Sequence, residues 1–60
     1  MEVTVKYWFI KKAFDGLQEY YAKIVKPVVV KESEKAFLLE WVVPERGAFR
    51  SWVPKAAVEV

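Results

Sequence analysis

The chain has 60 residues, 55% of them apolar, and a net charge of +2. It has no cysteine and no histidine, which excludes a disulfide, a thiolate or imidazole metal site and most nucleophilic chemistry. A domain this short buries only about 60% of its unfolded surface, so its aromatic rings, or self-association, must supply the stability.

The charge is mild, and acids are interleaved with the lysines and arginines, so a nucleic-acid role would need a local patch. No run is apolar and long enough to cross a membrane. The opening MEVTVKYWFI starts with an acid and alternates, unlike a secretory leader. The expectation is a single cytoplasmic, intracellular domain over residues 1–60 with no membrane partner. Asparagine is absent while lysine and glutamate are plentiful, a thermophile-like composition.

Val3 to Ile10 reads as a first strand, with Val3, Val5, Tyr7 and Phe9 on one face and Thr4, Lys6, Trp8 and Ile10 on the other. Lys11 to Lys26 admits two readings. As a helix it lines up Ala13, Leu17, Tyr20 and Ile24 in one apolar stripe, and Pro27 follows its end. As a hairpin it would turn at Asp15-Gly16. The helical reading, within Lys12 to Lys23, is favoured by the good helix formers it contains. Val28 to Lys31 is a short β-branched run opened by Pro27. Glu32 to Lys35 forms a charged turn.

Ala36 to Val43 is a strand with Phe37, Leu39, Trp41 and Val43 on one face. Pro44-Glu45-Arg46-Gly47 reads as a tight turn, with Ala48 to Val53 returning beside it. A four-residue turn sets Val43 opposite Ala48, Trp41 opposite Arg50 and Leu39 opposite Trp52. Trp41, Arg50 and Trp52 then share one face, while Leu38, Val42, Phe49 and Val53 share the other. Pro54 to Ala57 suits one turn of tight helix. Val58 to Val60 closes the chain as a short strand beside the first.

This order, with Trp52-Val53-Pro54 followed by Lys55-Ala56-Ala57-Val58, resembles the Src-homology-3-type small barrel. The resemblance implies a mainly β fold with a short helix or helical turn after the first strand. The alternative is an open α+β sheet of order βαβββ. The Ala-Leu-Tyr-Asp-Tyr run of the peptide-binding members is missing, so proline-rich ligands are not implied. A second resemblance rests on Glu34-Lys35-Ala36-Phe37-Leu38-Leu39-Glu40 and Trp52-Val53-Pro54-Lys55. These segments look like those of small phage, archaeal-virus or plasmid proteins of unassigned function, which implies a mobile-element origin and no activity.

The sequence offers no catalytic constellation: Ser33 and Ser51 have no base, Gly16 and Gly47 stand apart, and Glu32 with Glu34 reads as a solvated turn. The expectation is a non-enzymatic binding module without a cofactor or metal. Its candidate ligand-binding residues are Lys6, Trp8, Trp41, Arg46, Arg50, Trp52 and Lys55. Rings that stack on bases beside cations that meet phosphate would make a nucleic-acid platform. The alternative is a protein-interaction or homodimerisation module, such as a viral accessory factor. A competing assignment makes the Trp41 face plain core, because so small a chain needs its rings inside.

Overall fold

The computed structural model describes residues 3–59. In chain order these form β1 (Thr4–Val5), α1 (Tyr7–Ala13), α2 (Gly16–Ile24), β2 (Val28–Glu32), β3 (Ala36–Val43), β4 (Gly47–Pro54), a 3-10 turn (Lys55–Ala57) and β5 (Val58–Glu59). The strands make two antiparallel sheets: a β1–β5 pair and a β2–β3–β4 meander. The fold is therefore β-rich with two short helices. The two sheets do not join into a closed barrel, and they are not the single open sheet of the alternative either.

The first strand is much shorter than Val3–Ile10. β1 pairs only with β5, Thr4 opposite Glu59 and Val5 opposite Val58. The Lys6 N–H then donates to the Ala57 carbonyl at 2.7 Å, after which the 3-10 turn withdraws the partner backbone. With no strand left to pair, the chain satisfies its backbone groups internally. The Lys6 carbonyl accepts from Phe9 and Ile10 N–H groups at 3.1 and 3.3 Å, which starts α1. Strand propensity at Tyr7–Ile10 loses to the helical turn that buries Ile10 and brings Phe14 under the sheet.

The Lys11–Lys26 segment is helical rather than a hairpin, but in two pieces. The break falls at Phe14-Asp15. Gly16, at φ +59°, sits in the left-handed region that glycine enters without a side-chain clash. The apolar stripe expected to face the core does not. Ala13, Leu17, Tyr20 and Ile24 are exposed, and α2 packs through Ala22 with Tyr21 and Val25 half-buried beside it.

The meander was legible almost to the residue. β2 and β3 follow the expected bounds, with a bulge between Val29 and Lys31. The final strand was read as Val58–Val60; Val60 lies outside the described residues. The correction lies in the β3–β4 register. Val43 pairs with Gly47, not Ala48, so Trp41 lies opposite Phe49, Glu40 opposite Arg50 and Leu38 opposite Trp52. The Arg46 N–H closes a turn on the Val43 carbonyl at 3.0 Å. Glu45 occupies its third position at φ 67°, where glycine is usual.

A non-glycine residue in that region costs about 1–2 kcal/mol. Glycine there would relieve the clash and lose part of the gain to unfolded-state entropy. Glu45→Gly is therefore expected to stabilise the domain by about 0.5 kcal/mol, a rise of roughly 2–4 °C in a circular-dichroism melt. A lower melting temperature would contradict this account of the turn.

The core lies between the inner face of the meander and a layer made by α1, α2 and the β1–β5 pair. Phe37, Leu39, Trp41 and Val53 contribute from the sheet, and Val3, Val5, Ile10, Phe14, Ala22 and Ala57 from the covering layer. Trp41 is its centre. Its ring stacks on Phe49 at 5.2 Å and 8°, and meets Phe14 edge-on at 5.3 Å.

Candidate functional site

Successive residues of a strand point to opposite faces, so a one-residue slip in register exchanges them. The observed register moves Phe49 and Val53 inside with Trp41 and Leu39. Arg50 and Trp52 move outside with Leu38 and Val42. The expected cluster of Trp41, Arg50 and Trp52 is thus divided. Trp41 is fully buried and reaches no ligand, whereas Trp52 keeps 49% of its surface exposed.

The outer face of the meander is the surface that remains. One cross-strand row runs Lys31, Leu38, Trp52; the next runs Val28, Glu40, Arg50; Val42 and Ala48 follow. Val28, Val42 and Trp52 are exposed, and Leu38 is half-buried between them. Lys31 and Arg50 stand at opposite corners of this apolar field. Arg50 lies beside Glu40, its Nε 3.7 Å from the carboxylate Oε2. That distance is too long for a hydrogen bond, and an ion pair this exposed adds little stability. Its guanidinium donors therefore remain available to a bound anion or acceptor.

The other expected site residues scatter. Lys6 is half-buried at the start of α1, where its backbone, not its ammonium, has the structural part. Trp8 is exposed on α1, with its ring edge-on to Phe9 at 5.9 Å, away from the outer sheet face. Lys55 is engaged within the chain: its ammonium pairs at the surface with the Glu32 carboxylate and lies 5.1 Å from the Phe37 ring centre. Arg46 sits at the β3–β4 turn. It lines a half-open cleft of about 300 Å³ between that turn and α2, with Leu17, Gln18, Tyr21 and Phe49.

Sequence reasoning passed over Lys31 and Val28 as members of the face. The available signal was the alternation of β2: once Val29 is assigned to the core beside Leu39, Val28 must point the other way. Lys31 could not be placed the same way, because the bulge at Val30 interrupts the alternation. No helix among the described residues is long and apolar enough to cross a membrane. Compared with known proteins, the chain matches no family model, no curated protein and no solved structure.

Proposed function

We propose that this chain is a small non-enzymatic binding module that docks nucleic acid on the outer face of its β2–β3–β4 sheet. The observation that carries the proposal is the placement of Trp52, half exposed on a regular sheet and flanked by Leu38, with Lys31 and Arg50 at the corners. A ring held this way offers a base a flat apolar surface, and the two cations lie where a backbone would pass. The proposal rests on this surface alone.

A second reading is favoured by a different feature of the same face. Val28, Val42 and Leu38 are aliphatic, and Glu40 offsets the charge of Arg50. An apolar field with a near-neutral ion pair also suits a protein partner. Salt separates the two. Two phosphate contacts predict binding of a short oligonucleotide whose log K falls with log salt at a slope of about −1.8 for a duplex and about −1.4 for a single strand. Intrinsic tryptophan fluorescence at two salt concentrations reads this out. Absence of binding at low salt would refute the nucleic-acid reading and leave the protein partner.

A further inference from the structure

The stripe that α2 turns to solvent is the strongest unused feature of the molecule. Leu17, Tyr20 and Ile24 recur at i, i+3 and i+7 and are 61%, 54% and 59% exposed. That spacing is the apolar seam of a packed helix pair, yet nothing among the described residues covers it. Glu19 and Lys23 lie together on one flank of the stripe, their charged atoms 3.3 Å apart. The Lys23 ammonium also lies 5.3 Å from the ring centre of Tyr7, which continues the apolar surface on α1.

We infer that a second copy of this chain occupies the stripe, with the two α2 helices antiparallel across a two-fold axis near Tyr20 and Tyr21. The argument is one of register. An axis at that level sets Leu17 of one copy level with Ile24 of the other. Within about one residue's rise of 1.5 Å, the same axis sets Glu19 level with Lys23. A two-fold axis of this kind also faces like flanks toward each other, so the charges meet as Glu19 against Lys23 twice over. One placement therefore satisfies the apolar and the ionic pattern together. A parallel pair would oppose unlike flanks and leave Glu19 and Lys23 paired only within their own helix. The chain's mild net charge of +2 offers little repulsion between copies, and no disulfide strengthens the monomer.

The interface would be small. Stable assemblies bury about 800 Å² on each partner, and α2 has nine residues. Association is accordingly placed in the class of small, transient contacts.

Sedimentation equilibrium up to about 2 mM chain tests this, with circular dichroism to establish that each variant is folded. Wild type should form dimers. Tyr20→Glu and, independently, Ile24→Lys should be monomeric at every concentration, since both positions are exposed in the single chain. Glu19→Lys and Lys23→Glu should each weaken the dimer at least about fivefold. An equimolar mixture of those two variants should associate again, because each supplies the charge that the other lacks. A strictly monomeric wild type would overturn the inference, as would dimers that persist in Tyr20→Glu and Ile24→Lys. Failure of the mixed variants to associate more tightly than either alone would overturn the antiparallel register.

Discussion

Trp41→Ala is expected to destabilise the domain by about 3–5 kcal/mol, a large part of its whole stability. Trp41 is fully buried and touches the two sides of the core at once, through Phe49 of β4 and Phe14 of the α1–α2 connection. Truncating a buried tryptophan costs about 3–5 kcal/mol. A domain of this length has roughly 3–9 kcal/mol in total, at 0.05–0.15 kcal/mol per residue. The substitution therefore removes between about a third and all of the stability. Trp41→Phe should behave differently. The indole Nε1–H is buried and finds no acceptor among the described residues. Its loss relieves an unsatisfied donor worth about 1–3 kcal/mol, which offsets part of the lost volume. The phenylalanine variant should remain folded, at less than half the cost of alanine. Urea denaturation of the three proteins decides this. Equal destabilisation by the two substitutions would show that the indole N–H carries no penalty.

Trp52→Ala is expected to do the reverse: keep the fold and remove the binding. Trp52 stands on the outer face opposite Leu38, half in water. Its cross-strand contact is worth roughly 0.2–1 kcal/mol, so the denaturation midpoint should move only slightly. A ring that stacks on a base contributes about 1–3 kcal/mol, equivalent to a loss of roughly 5- to 150-fold in affinity. Arg50→Ala should weaken binding less and flatten the salt slope by about one. The informative comparison is between the two tryptophans, measured for both stability and oligonucleotide affinity. Loss of affinity in Trp41→Ala alone, with Trp52→Ala binding as wild type does, would refute the outer face as the docking surface.

Most of the meander was legible because alternation and turn chemistry agree along it. Ala36–Val43 alternates without interruption, and Pro54 followed by Lys55–Ala57 announces the tight turn. The β3–β4 register was not legible, and one residue decided it. Proline at Pro44 and glycine at Gly47 suggest that the turn spans all four residues. In the structure Gly47 belongs to the strand, and Glu45 takes the left-handed position. Nothing in the identity of a glutamate announces that conformation. The consequence was large, because it exchanged the inward and outward residues of β4 and with them the candidate site.

The N-terminal third failed for another reason. Val3–Ile10 has the composition of a strand, but a strand needs a partner of equal length, and among the described residues β5 offers two. The stripe of α2 shows the complementary failure. Its periodicity was read correctly as helical, yet period alone does not say whether the apolar side meets the chain's own core or something else.

The β1–β5 pair also bears on the order in which the molecule assembles. The meander joins neighbours in sequence, so its loops close cheaply and early. Thr4 must wait for Glu59, the longest closure among the described strand pairs. During synthesis β1 emerges ahead of the other described strands, yet it is among the last of them to find its place. Until then Val3 and Val5 have no Ala57 and Val58 to pack against, and the nascent chain presents them to any chaperone or neighbouring strand within reach.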